Sequence, residues 1–198
     1  LAYRQNVLGT ANALQFAKNC FTRKFVFTSA AALYTNIPKY LPIDEKHPID
    51  PSQSVYATTK RIGELLCEEF HRNYGLPTLY VRLFNTFGPR QSAELLIPSF
   101  IQQAQRNGKI TVRNERVLRD FNYVPDVVNA LLKAAESDYC GGPVNIGTGE
   151  EHSIGEIGHD IGEFMGVEVE YLTQETFGGT RLVCDNSFAK RILDLQPA

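Results

Sequence analysis

The sequence predicts an α/β protein with a parallel β-sheet covered by helices and a smaller C-terminal lobe. Two short apolar runs, KFVFTS at 24–29 and TLYVRLF at 78–84, have the aliphatic and aromatic residues of buried strands. A long helical segment at 52–74 separates them, and this strand–helix–strand order is typical of parallel strands. Later elements become shorter and loops longer, which predicts a main unit at 1–87 and a smaller lobe at 88–198.

The elements of the first half follow from apolar spacing and from helix-stop residues. A first helix is predicted at 1–19, where apolar residues recur with helical spacing and no helix breaker occurs beyond Gly9. A polar connection rich in proline and acidic residues is expected at 35–51. The helix at 52–74 ends before Gly75, a residue type common at helix C-termini.

The second half is predicted from shorter signals. It should contain a turn at 87–90, helices at 98–107, 126–137 and 186–193, and strands at 109–112, 143–146 and 167–171. Ser153 and Glu156 form an S-x-x-E capping box that opens a further helix. Glycines recur along that helix among charged residues, which predicts close packing on a sheet rather than pairing in a membrane.

The composition excludes several functional classes. The 198 residues are 43% hydrophobic and 21% charged, with a net charge of -2, so the chain is not disordered. This balance leaves no basic surface for nucleic acid or an anionic membrane, and no apolar run approaches a spanning helix of about 18 residues. The spacing of Cys20, Cys67, Cys140 and Cys184 predicts four buried free thiols in the reducing cytoplasm, without a bound metal.

The segment Tyr56-Ala-Thr-Thr-Lys60 is the sharpest candidate for chemistry. Positions four apart lie on one helix face, so the phenol and the ammonium can approach the same substrate atom. A phenol has an ordinary pKa of about 10, and a neighbouring cation favours the phenolate. Such a pair can take a proton from a sugar hydroxyl while hydride leaves the same carbon. The pattern also fits an incidental pair on a solvent-exposed helix face.

Seven motifs follow one another along the chain. They are NVLGT at 6–10, FVFTSAAALY at 25–34, YATTK at 56–60, RLFNTFGPRQ at 82–91, RDFNYVPD at 119–126, NIGTG at 145–149 and DNSFAKRIL at 185–193. In this order they resemble the extended short-chain dehydrogenase/reductase family, specifically its nucleotide-sugar epimerases and dehydratases. The resemblance implies a Rossmann-like sheet, of which this chain holds the later strands and helices. It also implies NAD or NADP as cofactor and a nucleotide sugar as substrate.

The resemblance assigns roles to individual positions. The catalytic residues would be Tyr56 as base and acid, Lys60 as its activator, and Ser29. The cofactor contacts would be Thr28, Tyr56, Lys60 and Phe84. The substrate contacts would be Asn85, Arg90, Leu96, Arg119 and Arg181. Without the resemblance, Phe84 is a core residue of a sheet and Arg119 is half of a surface ion pair.

The chain departs from the family pattern at several positions. No GxGxxG or GxxGxxG turn is present, although the family binds the cofactor pyrophosphate at such a turn. Ala30 stands where the family has a catalytic Ser or Thr, and the adjacent Ser29 should face the opposite side of the strand. Ala31 and Ala32 stand where dehydratases carry an acid/base pair. Epimerisation is therefore the leading prediction, with decarboxylation and dehydration as further members of the class.

The resemblance also implies a homodimer formed through the helices at 1–19 and 52–74. The residues shared between core and interface would be Ile62, Leu65, Leu66 and Phe70. A second hypothesis is a truncated or non-catalytic fragment of the family that acts as a binding or dimerisation module. The sequence leaves the sugar, the nucleotide and the choice between NAD and NADP open.

Overall fold

This computed structural model describes residues 1–172 and 181–195. The described residues contain six α-helices and ten strands. The first half contains α1 (Gly9–Asn19), β1 (Phe25–Ala30), α2 (Val55–Tyr74), β2 (Thr78–Leu83) and β3 (Asn85–Phe87). The second half contains α3 (Leu96–Asn107), β4 (Lys109–Arg113), β5 (Leu118–Arg119), β6 (Phe121–Tyr123), α4 (Val124–Glu136), β7 (Pro143–Ile146), β8 (His152–Ser153), α5 (Ile154–Met165), β9 (Glu168–Leu172), β10 (Arg181–Leu182) and α6 (Ser187–Leu193). Single helical segments of other types lie at Tyr3–Leu8, Ala31–Leu33 and Pro51–Gln53.

The central sheet has the order β1–β2–β7, and all its strands are parallel. Alternate residues of β2 face opposite layers of helices. Leu79 and Val81 pack with α4 and α6, whereas Tyr80 packs with α1 and α2. The helices therefore cover both faces of the sheet, which confirms the predicted α/β architecture.

A second cluster is built on the parallel pair β4–β9. Helices α3 and α5 cover this pair, with Phe100, Ile110 and Val112 at the centre of the cluster. The glycines of α5 permit close approach, since a Cβ added at Gly158 would collide with Val112 Cγ2. The predicted close packing of this helix is confirmed, and so is its capping box.

Short strands join the two parts next to the carboxyl end of the central sheet. β3 pairs with β6, and β5 lies between β10 and β8. The buried carboxylate of Asp120 accepts bonds from the Thr148 backbone N–H and hydroxyl and from the backbone N–H groups of Gly149 and Cys184. It thereby links three segments that are distant in sequence. Because β7, α4 and α6 return to the central sheet, the division at residue 87 stays a prediction.

Some expectations need correction. Helix α2 begins at Val55 because Pro51–Gln53 forms a separate 3-10 turn and the Ser54 side chain caps the helix by accepting from the Ala57 N–H. All four thiols are free, but Cys20 is exposed and Cys140 is half-buried, so the expectation of four buried thiols was wrong.

Within the described ranges, no helix is long and apolar enough to span a bilayer, and no three side chains form a candidate metal site.

Candidate active site

A cavity of about 780 Å³ lies at the carboxyl ends of β1 and β2. Ligands of open parallel sheets bind at this edge. The wall of the cavity combines the ends of both strands, the first turns of α2, strand β3, the start of α3, and Arg119. Residues from both halves of the chain therefore meet around one space that is large enough for a small organic ligand.

Tyr56 and Lys60 both line this cavity, one helical turn apart in α2. Tyr56 is 48% exposed. Lys60 Nζ donates to the Thr28 carbonyl at 2.7 Å and lies 5.7 Å from the centroid of the Tyr56 ring. The structure thus places the predicted phenol and ammonium on one face of the helix, at the cavity where the parallel strands end.

Burial acts on both groups. Desolvation raises the pKa of Tyr56 and lowers the pKa of Lys60. Both shifts favour the neutral form of the side chain, because a charge is costly where water is partly excluded. Tyr56 is therefore a protonated phenol at neutral pH in this structure, and a phenolate would need further positive charge beside it.

Ala30 and Ser29 face different environments at the end of β1. Ala30 is buried in the cavity wall without a hydroxyl. Ser29 also contributes to the wall, but its Oγ donates to Glu64 Oε1 at 2.7 Å and the residue is 2% exposed. The alternation of strand side chains explains this difference. The Ser29 hydroxyl has a structural partner, so this geometry does not support the catalytic role predicted for it.

A buried ionic cluster lies next to these residues, and the sequence analysis did not identify it. Arg82 Nε and Nη2 donate to the two carboxylate oxygens of Glu64, each at 2.9 Å. Arg82 Nη1 donates to the Tyr34 hydroxyl, which in turn donates to Asn145 Oδ1. Burial opposes the charge of Arg82, yet its bonds to Glu64 and Tyr34 raise the pKa of the guanidinium. Burial raises the pKa of Tyr34 to about 12.

The two predicted residues after β2 have different positions. Phe84 is 4% exposed and packs in the cluster that contains Tyr34 and Ile43, with 6.3 Å between the Phe84 and Tyr34 ring centroids. It also reaches the cavity wall. Asn85 lines the cavity and is exposed. Phe84 is thus first a core residue, and its predicted contact with a cofactor stays a prediction.

The predicted substrate contacts divide into two groups. Leu96 and Arg119 line the cavity, and burial lowers the pKa of the Arg119 guanidinium. Arg181 pairs with Leu118 where β10 meets β5, but it does not line the cavity, and its guanidinium forms a two-bond salt bridge with Glu151. Arg90 is exposed in the turn after β3, with a φ of 69°, and does not line the cavity.

Gln91 is a cavity residue that the sequence analysis did not assign. Its Nε2 donates to the Thr86 carbonyl at 2.7 Å, which fixes the orientation of the amide. Its Oε1 is buried and has no hydrogen-bond partner among the described residues. Only the position of Gln91 at the end of the RLFNTFGPRQ motif could have drawn attention to it.

Comparison with known proteins defines the class. Residues 1–147 match the family described as "NAD dependent epimerase/dehydratase family". This match spans most of the chain, and the chain therefore belongs to that family. The predicted resemblance is confirmed.

Curated relatives include different enzymes of this class. A "Putative UDP-glucose 4-epimerase" of Methanocaldococcus jannaschii is 38% identical over 165 residues, which cover 79% of this chain and 53% of the relative. "UDP-glucuronic acid decarboxylase 6" of Arabidopsis thaliana is 32% identical over 98% of this chain and 58% of the relative. The chain spans little more than half the length of these proteins.

Solved structures confirm the Rossmann-like fold. A UDP-N-acetylglucosamine 4-epimerase from Methanobrevibacter ruminantium, in complex with UDP-N-acetylmuramic acid, superposes with a TM-score of 0.91 at 28% identity, covering 99% of this chain and 64% of that one. A UDP-glucuronic acid 4-epimerase from Bacillus cereus, in complex with NAD, gives a TM-score of 0.87 at 26% identity, covering 99% and 63%.

Proposed function

We propose that this chain carries the proton-transfer and substrate-binding part of an NAD-dependent enzyme that epimerises a nucleotide sugar through transient oxidation at the sugar C4. The main support is the placement of Tyr56 and Lys60 on one helix face at the cavity where the parallel strands end. Both classes of named relative, epimerases and decarboxylases, act on UDP-sugars. Ala31 and Ala32 in place of an acid/base pair favour epimerisation over dehydration.

In this proposal the residues of the chain bind, orient and exchange a proton. Tyr56 removes the proton from the C4 hydroxyl and returns it after the sugar has turned. Lys60, held at the Thr28 carbonyl, supplies a positive charge that favours the phenolate. Arg119 is the cavity guanidinium that would bind the diphosphate, because its planar fork matches phosphate oxygens.

In this proposal the cavity would hold the nicotinamide end of NAD. Lys60 and Thr28 line the wall beside Tyr56, and their polar groups would suit the hydroxyls of a nicotinamide ribose. When bound there, NAD would supply the acceptor for the hydride from C4 and a positive charge near the phenol. The sequence contains no glycine-rich turn of the GxGxxG or GxxGxxG type for the pyrophosphate, so these residues fit the nicotinamide end alone.

Turnover of defined UDP-sugars tests the proposal. An enzyme that contains this chain together with the glycine-rich turn of the family would be incubated with NAD and with UDP-glucose, UDP-N-acetylglucosamine or UDP-glucuronic acid, and the products separated by chromatography. We expect the C4 epimer of at least one of them. If UDP and NADH both bind, by calorimetry and fluorescence, without conversion of any sugar, the chain is a binding module instead. If neither UDP nor NADH binds, the proposal fails.

Ala30→Ser should increase that turnover. Ala30 lies in the cavity wall at the end of β1, where a hydroxyl could donate to the sugar oxygen as charge develops on it. A positioned donor of this kind contributes about 100-fold or more in other enzymes, so we expect a gain of about 10- to 100-fold in kcat. Equal kcat values for the two proteins would show that this site does not use a hydroxyl at that position.

We also propose that α1 and α2 form a homodimer interface. Leu8 at the end of the Tyr3–Leu8 segment, Phe16 of α1 and Leu65 of α2 are 60%, 70% and 47% exposed, so these helices offer apolar side chains to a partner. Phe70, in contrast, is buried within the core of the single chain. Light scattering should give twice the mass of the chain, and Leu65→Lys should shift it toward the monomer. A monomer at tens of micromolar before substitution would contradict the dimer.

A further inference from the structure

The buried cluster around Glu64 has no role in the proton transfer described above. Glu64 is fully buried in α2, one helical turn after Lys60 and two after Tyr56. Residues at this spacing lie along one stripe of a helix. The stripe therefore presents a phenol, an ammonium and a carboxylate in succession along the edge of the sheet.

Glu64 is bonded to both strands whose ends form the cavity. Its Oε1 accepts from Ser29 Oγ of β1 at 2.7 Å and from Arg82 Nε of β2 at 2.9 Å. Its Oε2 accepts from Arg82 Nη2 at 2.9 Å and from Arg61 Nη1 at 3.0 Å. Four donors thus hold one carboxylate, and two of its three partner residues belong to the sheet.

Lys60 makes the corresponding contact one turn earlier in the helix. Its Nζ donates to the Thr28 carbonyl, one residue before Ser29 in β1. The two bonds run from successive turns of α2 to successive residues of one strand. A shift of the helix along or around its axis would break both bonds.

We infer that Glu64 and Arg82 are positioning residues for the Tyr56–Lys60 pair. Their ion pair, completed by the Ser29 hydroxyl, fixes the register of α2 against the end of β1 and thereby keeps Lys60 at the Thr28 carbonyl and Tyr56 at the cavity. This inference builds on the proposed function, but the placement of the two side chains can be measured without cofactor or substrate.

The titration of Lys60 separates positioning from a simple effect of charge. Loss of the Glu64 carboxylate would, through charge alone, lower the pKa of Lys60 further, because an anion stabilises the ammonium. Release of Lys60 from its partly buried position would instead raise its pKa toward the ordinary value of about 10.4. The two causes therefore predict changes of opposite sign.

The experiment uses NMR titration of the chain with ¹³C-labelled lysine, with the Lys60 signal assigned through Lys60→Arg. In Glu64→Gln we expect the Lys60 pKa to rise. Glu68→Gln is the matched control, since Glu68 lies one turn further along α2 and bonds Arg61 and Tyr80 but neither Ser29 nor Arg82. It should leave the Lys60 pKa within error of the parent value.

A milder variant keeps the test valid if Glu64→Gln does not fold. Ser29→Ala removes one hydrogen bond to Glu64 without changing any charge, so a rise in the Lys60 pKa in this variant reports on position alone. Far-UV circular dichroism confirms folding. An unchanged or lower pKa of Lys60 in the folded variants would overturn the inference, whatever the turnover assay of the proposed function gives.

Discussion

Tyr56→Phe should reduce the conversion of UDP-sugars by about 100- to 10,000-fold. The substitution removes the hydroxyl that exchanges the proton, and general acid–base catalysis contributes a factor of this size. The ring is half-exposed at the cavity wall, so its replacement by phenylalanine leaves the shape of α2 nearly unchanged. The measurement is kcat with NAD and the best UDP-sugar, and we expect KM to change far less.

Tyr74→Phe is the matched control for this substitution. Tyr74 lies at the other end of α2 and is 51% exposed, close to the exposure of Tyr56. Its ring, which Lys18 approaches at 4.0 Å from the centroid, is retained in phenylalanine. A large decrease in kcat with Tyr74→Phe, or none with Tyr56→Phe, would remove the phenol of Tyr56 from the mechanism.

Arg82→Met should lower the free energy of unfolding by about 3–5 kcal/mol, the cost of breaking a buried ion pair by removing one partner. The side chains of Arg82 and Glu64 are 5% and 0% exposed, so little water can replace the lost bonds. The measurement is chemical denaturation followed by circular dichroism, with the midpoint and slope compared between the parent and the variant.

Two further variants identify the cause of that loss. Arg61→Met removes the other guanidinium on Glu64, but this side chain is 25% exposed, so we expect a cost of about 1 kcal/mol or less. The double variant Glu64→Leu with Arg82→Met should recover much of the loss, since apolar residues of similar volume can replace a buried pair. If Arg82→Met costs no more than Arg61→Met, the ion pair does not carry the stability assigned to it.

The sequence predicts the larger elements because each leaves a local signal. Apolar runs mark β1 and β2, and a glycine marks the end of α2. The observed bounds of these three elements lie within a few residues of the predicted ones. The two-residue strands β5, β8 and β10 have no comparable signal, because only pairing with distant residues makes them strands. Tertiary contacts, which a single sequence does not reveal, decide their structure.

In the candidate site, too, the sequence predicts the residues that have a local signal and misses those that only tertiary packing brings together. Tyr56, Lys60 and the end of β1 could be predicted, because a spacing of four on a helix and the end of a parallel strand are properties of local sequence. Glu64 and Arg82 could not, since their pairing joins residues 18 apart through the packing of a helix on a strand. The burial of Phe84 could be predicted from its place at the end of an apolar strand, but its packing against the distant Tyr34 and Ile43 could not.

The link at Asp120 constrains how sequences of this family can diverge. Three of its four bonds come from backbone N–H groups, which every residue type except proline provides. Substitution at position 184 therefore keeps the donor, whereas position 149 is restricted for another reason, because its φ of 82° favours glycine. At position 120 an amide would turn an –NH₂ group toward these donors, so a carboxylate is required. We therefore expect position 120 to vary less among homologues than position 184, although the two residues share a hydrogen bond.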